Sequence, residues 1–154
     1  MSFVRRDPRI AKLRSIDVFA DLSTRALKDI SRLVTEVDLR EGYTLCSEGQ
    51  PGLEVFAILS GQVAITRDAV ALTVSNPGSL VGELALLERT ARMATAVALT
   101  EVTAFVMSVK EFGYLLRVYP QVAARIRTAG EVRRRELTTV PSRRLVTSGR
   151  AQTA

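Results

Sequence analysis

The sequence predicts a mainly β domain with helices at both ends, on three observations. Apolar residues recur three or four apart from Asp7 to Val34. After Glu36 they alternate in short runs cut by glycine, proline and asparagine, and from Ser108 the helical spacing returns. A chain of 154 residues with 47% hydrophobic and 25% charged content is long enough to bury the core of one domain.

The elements follow in order. In "DPRIAKLRSIDVFADLSTRALKDISRLV", Ile10, Leu13, Ile16, Phe19, Leu22, Leu27, Ile30, Leu33 and Val34 mark two short helices. "FADLS" is the turn between them, and Ser23 with Thr24 offers the second an N-cap. "VDLREGYTLCSEG", "EVFAILSGQVAIT", "AVALTVS" and "MATAVALTEVTAFVMS" read as strands, and many short strands at even spacing imply a sandwich or barrel. Between the last two lies "PGSLVGELALL", where Leu84, Ala85, Leu86 and Leu87 favour a short helix after a glycine turn. Pro120 divides the closing helical segment, ending one helix near Tyr119 and opening the next, whose stripe is Val122, Ile126, Ala129, Val132 and Leu137. The expected division is a basic segment 1–15, a domain 16–137 and a mobile basic tail 138–154.

Composition removes several classes of function. The chain has no histidine and a single cysteine, Cys46, which excludes histidine-based catalysis, the usual zinc sites and an internal disulfide. Cys46 reads as a small half-buried strand residue. No apolar run is long enough for a membrane span, and "MSFVRRDPRIAKLRS" has no signal-peptide core, so a cytoplasmic protein is expected. The net charge of +6 gathers at Arg5, Arg6, Arg9, Lys12 and Arg14, and again from Arg125 to Arg150. Such clusters read as solvated faces or loose tails, with an acidic partner as the alternative.

The chemistry concentrates in "VGELALLERTARMAT". A short helix opening after Gly82 presents unpaired backbone N–H groups and the positive end of its dipole, which suit an anion. Arg92 can fold back to add a guanidinium fork, and Glu83, acceptor-only when ionised, suits sugar hydroxyls. A nucleotide-like ligand fits this set. A Glu83–Arg92 ion pair closing a turn, with the leucines in the core, fits the spacing as well.

These residues resemble the phosphate-binding cassette of the cyclic nucleotide-binding domains found in protein kinase A regulatory subunits, cyclic-nucleotide-gated channels and the catabolite activator protein. "REGYTLCSEGQPGLEVFAILSGQVAI" is similar to the family's strand-turn-strand pattern, "FADLSTRALKDI" to its leading helices and "EFGYLLRVYPQVAARI" to its trailing pair. The resemblance implies an eight-stranded β-roll of the jelly-roll kind, flanked by helices. It implies that Glu83 holds the ribose 2'-hydroxyl, that Gly82 with the amides of Leu84 and Ala85 cradles the cyclic phosphate, and that Arg92 holds its exocyclic oxygens. Leu72 and Val74 are the candidates to support the base, with a lid drawn from Arg133 to Thr138. Val81 and Ala91 stand where the family has phenylalanine and proline most often. Met93 stands where members preferring cyclic GMP commonly have a threonine hydroxyl, so cyclic AMP is the expected ligand and cyclic GMP the less favoured one.

The expected function is a non-catalytic cyclic AMP sensor that regulates a protein effector in trans through its last helix, because "TTVPSRRLVTSGRAQTA" has no helix-turn-helix periodicity for DNA. The alternatives are a degenerate domain that acts as an interaction scaffold without ligand, and a basic accessory protein contacting nucleic acid. An apolar stripe on the last helix is compatible with a homodimer.

Overall fold

The computed structural model describes residues 7–139. Helix α1 (Pro8–Arg14) starts where the Asp7 carboxylate accepts from Arg9 N and proline occupies the first turn. Its Leu13 is fully buried and joins the core beneath the helices. A 3-10 turn (Asp17–Phe19) leads to α2 (Thr24–Ser31), whose N-cap Ser23 accepts from Ala26 N at 3.1 Å. Arg9 is no solvated tail residue: its Nη2 donates to Ser31 O and Val34 O, both at 2.7 Å, and satisfies carbonyls at the end of α2.

Eight strands follow: β1 (Thr35–Leu39), β2 (Thr44–Cys46), β3 (Glu54–Ser60), β4 (Val63–Arg67), β5 (Val70–Ser75), β6 (Leu80–Val81), β7 (Thr95–Ala98) and β8 (Val102–Ser108). They form two four-stranded antiparallel sheets in the orders β1-β8-β3-β6 and β2-β7-β4-β5, the β-roll that the resemblance implied. The two sheets do not close into a barrel.

Strand β3 shows why two cores exist. Its residues point alternately to opposite faces, so Val55 and Ala57 join the helices while Phe56 and Ile58 join the space between the sheets. In β8, Phe105 and Met107 face the helices, and Val102 and Ala104 the other sheet. Both strands are therefore apolar on both sides, which is why "EVFAILS" reads as a run without clean alternation.

Helix α3 (Glu83–Glu88) lies in the connection from β6 to β7. A capping box of Ser108 and Glu111 opens α4 (Val109–Val118), and Pro120 opens α5 (Pro120–Thr139). The stripe expected on α5 splits. Val122, Ile126 and Leu137 are buried, whereas Ala129 is exposed and Val132 lies 45% open. The inward row is Val122, Ile126, Gly130, Arg133 and Leu137, spaced three or four apart, and Ala129 and Val132 stand off it. The tail expected beyond Thr139 lies outside the described residues. No described helix is long and apolar enough to cross a membrane.

Candidate functional site

The site forms where β6 gives way to α3. Gly82 takes φ +92°, which lets the chain turn sharply from strand into helix; a side chain there would be strained and would meet the Arg92 guanidinium. The first-turn amides of α3 have no partner within the helix by geometry. Glu83, Leu84 and Ala85 are all buried.

Arg92 folds back over this turn, as the sequence suggested, but it does not ion-pair with Glu83. Its Nη1 donates to Gly82 O and its Nη2 to Glu54 O, both at 2.8 Å. The residue is 8% exposed and forms no salt bridge with a described carboxylate. A buried cation satisfied only by carbonyl dipoles is costly unless an anion completes its surroundings. Glu83 is 3% exposed, and burial pushes its carboxyl above the ordinary glutamate range against the pull of Arg133, its own backbone N–H and Arg92.

A cavity of about 40 Å³ lies over these groups. Gly82, Glu83, Leu84, Ala85 and Arg92 form one side; Ile65 and the segment Met93, Ala94, Thr95 and Ala96 form another. Arg133 and Leu137 reach in from α5. They fall inside the segment expected to supply the lid. Arg133 Nη2 lies 3.4 Å from Leu80 O and its Nε 3.5 Å from a Glu136 oxygen, while Arg134 ion-pairs with Glu88 at the end of α3. Arg67 donates to Leu137 O at 3.0 Å, and a methyl group placed on Gly130 would fall 3.2 Å from Leu84. The far half of α5 is thus seated directly on α3.

Two expected residues stand elsewhere. Val74 is 42% exposed and outside the cavity, because the β4–β5 register shifts at Ile65/Thr66 and turns Val74 to the outer face. Leu72 is buried in the core between the sheets but does not line the cavity. Ile65 on β4 takes the wall position instead. Cys46 is buried, not half-buried, and lines the same cavity, with burial pushing its thiol above the usual range. Arg133 could have been found from sequence by continuing the Ile126–Gly130 row.

The family model for the cyclic nucleotide-binding domain matches residues 36–119, more than half of the chain. The chain belongs to the cyclic nucleotide-binding domain family. It is 32% identical over 95 residues to a CRP-like cAMP-activated global transcriptional regulator of Mycobacterium tuberculosis, a match covering 58% of this chain and 42% of that protein. A solved N-terminal domain of a transcriptional regulator from Streptomyces coelicolor superposes with TM-score 0.63 at 32% identity, covering 82% of this chain and 94% of that one. The regulatory subunit of a cAMP-independent protein kinase A from Trypanosoma brucei has TM-score 0.72 at 22% identity over 80% and 46% of the two chains, which shows the shared fold. This chain of the cyclic nucleotide-binding domain family spans less than half the length of the first curated relatives it matches.

Proposed function

We propose that this domain is a non-catalytic sensor of cyclic AMP, with cyclic GMP the weaker ligand, and that it signals to a protein effector through its C-terminal helix. The observation that carries the reading is Arg92: a buried guanidinium, pinned by two carbonyls beside a glycine-opened helix, with no described carboxylate paired to it. A cyclic phosphate supplies the missing anion. Glu83 accepts from the ribose 2'-hydroxyl, the amides of Leu84 and Ala85 and the backbone at Gly82 cradle the phosphate, and Arg92 donates its remaining N–H groups. Met93 on the cavity wall offers no hydroxyl to guanine, which favours adenine.

The link to regulation follows from volume. Small-ligand pockets are typically about 300–1,000 Å³, and the present cavity of about 40 Å³ holds water at most. A nucleotide therefore displaces Arg133 and Leu137, and with them the last turns of α5. Calorimetric titration with cyclic AMP and cyclic GMP tests the reading. Saturable binding of cyclic AMP, tighter than cyclic GMP and weakened about tenfold or more in Arg92→Gln, is expected; no heat and no thermal shift with either nucleotide would sink it. Met93 in so small a cavity favours one other reading, a scaffold domain without ligand, and that second outcome is what it predicts.

A further inference from the structure

Basic residues of the helical layer differ in whether they are paired, and the unpaired ones on α2 gather on one face. Arg9, Lys12, Arg14 and Arg125 are committed to carbonyls or carboxylates: Arg9 to the end of α2, Lys12 to Glu36, Arg14 to Leu22 O and Arg125 to Asp21. Arg25, Lys28 and Arg32 are exposed, and their side chains form no hydrogen bond or ion pair with described residues, although Lys28 O and Arg32 N take part in backbone bonds of the helix. They stand three and four apart on one face of α2 and its C-cap, where like charges repel. All three line a surface groove of about 530 Å³ with Tyr119, the residue between α4 and α5.

One acid, Asp29, sits in that groove. Its Oδ2 accepts from Tyr119 Oη at 2.5 Å and Tyr114 Oη at 3.4 Å, and its Oδ1 takes no hydrogen bond from the described residues. An occupant that complements this pattern brings several carboxylates for the cations and at least one N–H donor for Oδ1. An extended acidic peptide offers both within one strand, carboxylates from its side chains and N–H groups from its backbone.

We propose that the α2 groove is a docking surface for an acidic peptide segment of a partner protein. Arg25 to Arg32 spans roughly 10 Å along the helix, and an extended chain advances about 3.3 Å per residue, so a run of roughly four residues bearing Glu or Asp bridges the three cations. Docking beside Tyr119 brings the partner to the base of α5. This proposal does not depend on which ligand, if any, the cavity binds.

The probe is a fluorescein-labelled hexaglutamate peptide, titrated with the full chain and followed by anisotropy at low and moderate salt. Wild type is expected to bind, more weakly as salt rises, and Arg25→Gln/Lys28→Gln/Arg32→Gln to bind about tenfold or more weakly. The control Arg40→Gln/Arg89→Gln, after β1 and at the end of α3, should change affinity by less than about twofold. Thermal unfolding confirms that the variants fold, and the single variant Lys28→Gln, on an exposed side chain, carries the test should the triple variant not fold. Three results would each overturn the proposal: no binding by wild type, equal binding by wild type and the α2 variants, or a single-stranded oligonucleotide or phosphatidylserine vesicles competing through these residues more strongly than the peptide.

Discussion

Replacing Arg92 by glutamine tests the site at its centre. The guanidinium offers five N–H donors, of which the bonds to Gly82 O and Glu54 O occupy one on each Nη, leaving the others for a ligand. Each charge-assisted bond to a phosphate oxygen contributes about 1.5–3 kcal/mol, so losing one weakens cyclic AMP by about 10- to 150-fold and losing two by correspondingly more. The same change orphans two carbonyls, at about 1–3 kcal/mol each, but also removes a buried charge, so the net loss of stability is smaller, about 1–2 kcal/mol. Calorimetry gives the first quantity and urea unfolding the second. Arg92→Lys, which keeps the charge but not the fork, should fall between wild type and Arg92→Gln in affinity. A folded Arg92→Gln protein that binds cyclic AMP within about threefold of wild type would refute the assignment of Arg92 to the phosphate.

Gly82→Ala places a methyl 2.5 Å from Arg92 Nη1 at φ +92°, and should lower stability by about 1–3 kcal/mol and abolish nucleotide binding, read by urea unfolding and calorimetry. Glu83, with its folded pKa raised, binds its proton more tightly in the native state; stability therefore falls as pH rises from the ordinary glutamate value through the raised one, and Glu83→Gln should flatten that part of a stability–pH curve. Tyr119→Phe removes the short bond to Asp29 and, because the pair lies in a solvent-open groove, should cost about 0.5–1 kcal/mol in urea unfolding. Because burial and Asp29 push the Tyr119 phenol up to about 12, that contribution is complete below about pH 10 and is lost as pH rises through about 12. Ala69 holds φ +65° in the β4–β5 turn, so Ala69→Gly should raise stability by about 1 kcal/mol.

Much of the architecture was legible because it is local. Ser23 is an N-cap in sequence and in space, Pro120 opens α5, and Glu83 and Arg92 lie nine positions apart around a helix short enough to bring one back over the other. The strands were recognisable as strands, but not the facing of each residue. A register shift at Ile65/Thr66 decides that Val74 faces solvent, and nothing in "AVALTVS" announces it.

By itself the sequence determined the order of helices and strands, the glycine-opened helix of the cassette and the identity of its acid and its arginine, since backbone propensity, caps and short-range spacing act within a few residues. The tertiary structure alone decided that Arg92 is held by the carbonyls of Gly82 and Glu54 and not by Glu83, and that Arg133 and Leu137 descend into the cavity. It also left Arg25, Lys28 and Arg32 unpaired while Arg9 became a structural cap. Those outcomes depend on which surfaces meet across dozens of residues, and charge pairing and burial are properties of that meeting.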